Sequence, residues 1–322
     1  MKKFVQKIKR TKNLKEKILI SILLKILLIL LFPVALNRFE TFNENQSQPQ
    51  LSIPQPQAER FIVNFGNLST IQTLDQIKAY IFYVDETAYV FEEDFPLQTL
   101  SEKDLRINLR GGVPRVLITH THSQEYFYDS EQGNPDHSIV GVGRYLANIF
   151  ANKYGVSVVH DIGVYDVRDG MLERSGSYEI AEKGVRSILE HHPSIEVIID
   201  LHRDAAPEGV RFVTEIEGRQ TAQIMFFNGI TRRNINGTPQ NLDELFNPYI
   251  AENLALSLQL FLTANENYPN FARRNYIKAY RYSLHLLPRS MLVEVGSDTS
   301  TVEEAKNAMY PLASIIMKVL AQ

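Results

Sequence analysis

Three short apolar runs, each leading into histidine or a carboxylate, constrain most strongly what this chain can fold into. Val116–Thr119 leads into His120-Thr121-His122-Ser123-Gln124-Glu125, and Val197–Asp200 into Leu201-His202-Arg203-Asp204. The third, Met291–Val295, carries Glu294 near its end. Brief apolar runs of this kind read as strands buried in a core. Between them lie helical patterns. Ile139, Val142, Leu146, Ile149 and Phe150 recur at helical spacing until Gly155, and Tyr178–Glu190 forms a second such stretch ended near Pro193. Val156–Val159 reads as a further strand. The pattern also predicts a strand pair, Val210–Glu215 with Ala222–Phe227, and a helix over Asn241–Leu262 capped by Asn241 and Glu244. A last helix is expected over Thr301–Leu320, opened by Ser300-x-x-Glu303 and bent at Pro311. Such alternation implies an α/β domain with a mostly parallel sheet flanked by helices.

In such sheets ligands bind beyond the carboxyl ends of the strands. That rule would bring His120, His122, Glu125, His202 and Glu294 to one rim. Taken alone, the fragment His120–Glu125 reads equally well as a metal site or as a His-rich surface loop. Convergence from separate strands favours an open zinc site, with three protein ligands and one position left for water. A carboxylate outside the ligand set would act as general base. Arg203 would stabilise an oxyanion, or else pair with Asp200 or Asp204 as structural support. Asp200 or Asp204 could also orient an imidazole. For His160, at the end of another strand, a hydrogen-bonded structural role is the preferred reading over a place in a substrate groove.

Charge and hydropathy divide the chain. Residues 1–17 carry eight Lys or Arg and one Glu, a formal +7 against −3 for the whole chain, so the remainder carries −10. An acidic body argues against nucleic acid as a partner. The 19 residues Ile18 to Leu36 are mostly apolar and just long enough to span a bilayer. Lys25 within them costs about 3 kcal/mol, which the surrounding Leu and Ile outweigh. The basic flank puts residues 1–17 in the cytoplasm as a tail, and no small-residue cleavage site follows. We therefore expect a retained single-pass transmembrane helix at 18–36, a Gln- and Pro-bearing spacer at 37–60, an N-terminal extension at 61–110 and an extracytoplasmic catalytic domain at 111–322. In the extension, Ile81–Val84 and Tyr89–Phe91 could be strands. The absence of cysteine excludes thiolate zinc sites, cysteine nucleophiles and disulfides.

Several of these pieces together resemble the stage II sporulation protein P family. They are Leu117-Ile118-Thr119-His120-Thr121-His122-Ser123-Gln124-Glu125, Val140-Gly141-Val142-Gly143-Arg144-Tyr145-Leu146, Tyr154-Gly155-Val156 and His160-Asp161. Ile199-Asp200-Leu201-His202-Arg203-Asp204 and Leu292-Val293-Glu294-Val295-Gly296-Ser297, with Glu303-Glu304-Ala305, complete the series. The resemblance implies a fold similar to zinc N-acetylmuramoyl-L-alanine amidases. It also implies a membrane-anchored, zinc-dependent peptidoglycan hydrolase of the sporulating cell, acting during engulfment. Such enzymes cleave the N-acetylmuramoyl-L-alanine amide, and also stem-peptide cross-links. On this sequence it implies ligands from His120 and His122, one or both, together with His202 and Glu125, and Glu294 as general base. Asp136 is the reserve for the carboxylate ligand. The implied partner is a lytic transglycosylase, the stage II sporulation protein D. The segment Tyr282-Ser283-Leu284-His285 departs from the family's more polar pattern, which bears on substrate contacts. A zinc carboxypeptidase-like metallohydrolase and an inactive wall-binding scaffold are the competing readings.

Overall fold

Seven strands assemble into one sheet in the computed structural model, which describes residues 61–322. In chain order they are β1 (Phe82–Val84), β2 (Val116–Thr119), β3 (Val158–His160), β4 (Val197–Asp204), β5 (Ile224–Gly229), β6 (Asn275–Lys278) and β7 (Arg289–Ser297). Their spatial order is β1-β6-β5-β7-β4-β2-β3. Every neighbouring pair is parallel except β5 with β7, so the sheet is mostly parallel with one reversal. The basic tail, anchor and spacer expected over residues 1–60 lie outside the described residues. Among those described, no helix is long and apolar enough to cross a membrane.

The central strands open as apolar runs because both of their faces are covered there. Val116, Ile118, Val197, Ile199, Leu201, Met291, Val293 and Val295 belong to the larger core cluster. That cluster also takes in buried residues of α3 (Ile139–Tyr154), α5 (Ile250–Asn267), α6 (Val302–Asn307) and α7 (Met309–Leu320). Leu117 and Ile198 point the other way and pack with Val185 of α4 (Ser177–His191), Ile195 and Leu286. Each fully buried side chain of this size contributes about 1.5–3 kcal/mol. Side chains alternate along a strand, so Asp200, His202 and Glu294 share the face of Ile198 and Leu117. Parity along two neighbouring strands thus sets the site's side of the sheet. The extension at 61–110 supplies edge strand β1, the helices α1 (Leu74–Tyr80) and α2 (Leu97–Glu102), and core residues from Val63 to Leu109.

Several sequence expectations change. The helix expected from Asn241 begins only at Ile250, after Pro248. Residues 232–241 instead form an antiparallel pair, Arg232–Ile235 with Thr238–Asn241. Asn236-Gly237 turns it with φ of 51° and 84°, the two-residue hairpin signal that overrides the capping pattern downstream. In the same way, Glu217-Gly218, both at positive φ, pair Val213–Ile216 with Arg219–Ala222. Ile224–Gly229 is thereby released from the expected hairpin and enters the main sheet as β5. At the C-terminus the capping box forms at Thr301 and Glu304, one residue later than expected. The helix is also interrupted at Ala308, which separates α6 from α7. Tyr89–Phe91 forms no strand.

Candidate metal centre

His122, Glu125 and His202 come together at the strand ends, each offering one ligand atom, and these atoms all lie within 4.8 Å of one another. Glu125 is the hinge of the group. Its Oε1 is 3.4 Å from His122 Nδ1 and its Oε2 is 3.5 Å from His202 Nδ1. The backbone N–H of Arg203 donates to Oε2 at 2.8 Å. Burial by itself would raise the Glu125 pKa, but the His202 charge and these hydrogen bonds outweigh it and hold the carboxyl below its ordinary range.

Both imidazoles are held through the nitrogen that faces away from Glu125. His202 Nε2 lies 2.9 Å from Asp200 Oδ1. Asp200 is fully buried and also accepts from Thr121 N–H (2.9 Å), Thr121 Oγ1 (2.7 Å) and Ser283 Oγ (2.9 Å). Burial opposes ionisation there too, yet His202 and the Thr121 donors bring Asp200 down to about 2. Burial would lower the His202 pKa, but Asp200 and Glu125 hold it well above its ordinary value. In the metal-free chain Nε2–H therefore donates to Asp200 and Nδ1–H faces Glu125. Release of the Nδ1 proton would turn that lone pair toward a cation. His122 Nε2 is likewise 3.1 Å from Ser177 Oγ, at the first turn of α4.

Glu294 stands on β7 directly opposite His202 in the register. Its Oε2 is enclosed and has no hydrogen-bond partner. Burial, then the charges of Glu125 and Asp204, push its carboxyl up to about 8 against the pull of His202. An enclosed carboxyl oxygen without a partner, near three converging ligand side chains, is consistent with a site that a cation would complete.

His120 lies outside this group. It is 1% exposed, and its Nδ1 is 2.9 Å from the carbonyl oxygen of Leu201, just past the last β2–β4 register pair. A carbonyl only accepts, so Nδ1–H donates; Nε2 is then the acceptor for His160 Nε2–H at 2.9 Å. Burial lowers both pKa values, to about 3 for His120 and about 4 for His160, and keeps the pair neutral. Gly143 of α3 makes room for it. A Cβ at that position would stand 2.5 Å from His120 Cε1 and Nε2. Gly143→Ala should therefore destabilise the fold by about 1–3 kcal/mol, although alanine favours the helix by about 1 kcal/mol. Thermal denaturation of the purified chain measures this, and a stabilised variant would contradict the packing argument.

Arg203 does not point its guanidinium into the group. Nε donates to the Tyr126 carbonyl at 2.9 Å and Nη1 to that of Asp204 at 3.2 Å. The cation nearest the ligands is Arg174, with Nη2 3.5 Å from Glu125 Oε1. Asp136 is hydrogen-bonded by Arg144 at the surface, outside the group. Sequence reading passed over Arg174, Ser177 and Tyr178. The Tyr178 ring sits 5.5 Å from that of His122 and 6.4 Å from that of His202. Its hydroxyl is held well above the usual phenol pKa by burial and by the neighbouring carboxylates, and so stays protonated.

Comparison with known proteins adds three findings. The family model described as Stage II sporulation protein P matches residues 40–317. A curated relative, stage II sporulation protein P of Bacillus subtilis (strain 168), is 20% identical over 242 residues, covering 71% of this chain and 54% of that protein. The chain thus spans about half the length of the curated relative it matches. Among solved structures, the N-acetylmuramoyl-L-alanine amidase AmiC2 of Nostoc punctiforme is 17% identical. The match covers 65% of this chain and 97% of that one, with a TM-score of 0.37. An N-acetylmuramoyl-L-alanine amidase of Clostridium difficile 630 is 14% identical over 65% and 97% of the two chains, with a TM-score of 0.39. These are partial likenesses of fold.

Proposed function

Because the chain belongs to the stage II sporulation protein P family, we propose that it is a zinc-dependent peptidoglycan hydrolase. It would cleave the amide between N-acetylmuramic acid and L-alanine, and also stem-peptide cross-links. The observation that carries this reading is the convergence of His122, Glu125 and His202 beside an unpartnered Glu294 carboxyl. Two imidazole nitrogens and a carboxylate oxygen are a zinc donor set, and they leave a position open. Bound there, zinc would lower the pKa of a water to about 7 and polarise the scissile carbonyl.

The chain's own residues do the rest. Asp200 and Ser177 fix the imidazoles so that Nδ1 of each faces the metal position, and the Arg203 N–H fixes Glu125. Glu294 takes the proton of the attacking water and returns it to the leaving amine of L-alanine. Arg174, 3.5 Å from Glu125, and the protonated Tyr178, whose ring packs beside His122, would donate to the carbonyl oxygen as it gains charge. The anchor read at residues 18–36 would hold the catalytic domain outside the cytoplasmic membrane, where wall polymer and a lytic transglycosylase partner are found.

The test is digestion of purified cell walls by the full chain, with products identified by mass spectrometry. We expect stem peptides with free L-alanine amino termini, loss of activity on chelation, and recovery with zinc. Activity indifferent to chelator, or release of single C-terminal residues only, would refute the proposal.

A further inference from the structure

The sheet face that carries His202 and Glu294 continues past them to edge strand β1, where it becomes exposed at Tyr83. Leu292 is opposite Asp200 on one side and Phe227 on the other; Phe227 is opposite Tyr276, and Tyr276 opposite Tyr83. Paired residues project to the same face, so Asp200, Leu292, Phe227, Tyr276 and Tyr83 form one row across five strands. Ring contacts join this row to the metal group. Tyr282 lies 5.2 Å from Tyr178 and 4.8 Å from Phe227; Phe227 is 5.1 Å from Tyr276, which stacks on Tyr83 at 5.3 Å and 3°. At the far end, on edge strand β1, Tyr83 is 47% exposed.

Tyr282 is kept in place at a cost. It adopts φ of 51°, in the left-handed region that a bulky residue avoids. The chain beside it crosses the end of β5, where a Cβ on Gly229 would lie 1.9 Å from the Tyr280 carbonyl oxygen. Backbone strain and a contact glycine together hold one aromatic side chain between the metal group and the row.

Cations border the rings. Arg274 sits 5.4 Å from the Tyr83 ring, Lys278 5.7 Å from Tyr276, and Arg233 5.2 Å from the exposed Tyr280. Asp85, the carboxylate among these rings, lies 3.7 Å from Lys278 and accepts from the Tyr276 hydroxyl at 2.6 Å, so Lys278 offsets it. Among the described residues, Arg233 and Arg274 have no carboxylate within ion-pair distance. On a body with a formal charge of −10, two guanidinium groups without a carboxylate partner favour an anionic occupant. Three strand spacings separate β7 from β1, about 14 Å, which an extended peptide covers in about four residues.

We propose that the row Phe227–Tyr276–Tyr83, bordered by Arg274 and Arg233, seats the acidic stem peptide of the wall polymer while its amide end lies at Glu294. This rests on the wall-hydrolase reading. Carboxylates along the peptide meet the guanidinium groups, and its apolar faces meet the rings.

The test uses the full chain carrying Glu294→Gln, so that ligand is not consumed. Fluorescence polarisation is read with a labelled synthetic stem tetrapeptide and with its counterpart whose carboxylates are amidated. We expect the acidic peptide to bind roughly three- to tenfold more tightly than the amidated one. Arg233→Gln together with Arg274→Gln should abolish that difference, and Tyr83→Ala should weaken both peptides. Unchanged zinc content and thermal midpoint identify the variants that are folded. Equal binding of the two peptides overturns the inference. So does displacement of the acidic peptide by peptide-free glycan, or no peptide binding by a chain whose Glu294 form still digests walls. In that last case the hydrolase reading stands and only this one falls.

Discussion

Glu294→Gln is expected to slow wall digestion roughly 10²- to 10⁴-fold while leaving zinc uptake intact. The amide is nearly isosteric with the carboxyl and cannot accept a proton from water. In the metal-free chain, burial and the charges of Glu125 and Asp204 push the Glu294 pKa up to about 8. A cation in the group would favour the ionised form, so the base becomes competent once the site is filled. The same shift has a consequence for stability with a definite sign. Between its ordinary value of 4.5 and about 8, the folded metal-free chain binds a proton that the unfolded chain has released. Stability contributed by this group is therefore present below pH 4.5 and is lost as pH rises toward 8. In metal-free protein, then, Glu294→Gln should raise the thermal midpoint at pH 8 by several degrees and hardly change it at pH 5. A midpoint difference independent of pH would mean that the carboxyl is not held protonated. Normal digestion by the variant would remove Glu294 from the chemistry.

The parts of this fold that were legible in the sequence are those set by local pattern. Val116–Thr119, Val197–Asp200 and Met291–Val295 are strands because short, largely apolar runs suit positions buried on both faces. The strand-end rule placed His122, Glu125, His202 and Glu294 near one another because β2, β4 and β7 run parallel and adjacent. What escaped was decided by pairing between distant segments. β5 runs antiparallel to β7, and no property of Ile224–Gly229 alone specifies that. Nor does spacing tell His120 from His122. They differ because β2 ends one pair short of Leu201, whose carbonyl then takes the ring of His120, while the chain turns His122 toward Glu125. Arg203 has the right residue type, yet its guanidinium serves the carbonyls of Tyr126 and Asp204. Arg174 and Tyr178 approach the group from the start of α4, more than 45 positions from the nearest ligand in the first strand's tail, and no motif marks them.

Glu125→Ala is expected to abolish stoichiometric zinc binding and reduce wall digestion to background. Glu125 is 3% exposed and, among the described residues, is the one carboxylate within ion-pair distance of both His122 and His202. Without it, two imidazoles remain where structural and catalytic zinc sites use three or four protein ligands. The same zinc titration ranks the neighbours by role. Asp200→Asn keeps every ligand atom but loses the anion that fixes the His202 tautomer, so affinity should fall roughly 10- to 100-fold and activity should return at saturating zinc. His122→Ala should lose zinc as Glu125→Ala does. His120→Ala should bind zinc in equal proportion while unfolding at lower temperature, since its removal leaves the Leu201 carbonyl without its donor. Equal zinc loss in His120→Ala and His122→Ala would place both rings on the metal. It would require the His120–His160 pair to open when zinc binds, at a cost set by the close packing of Gly143 against both rings.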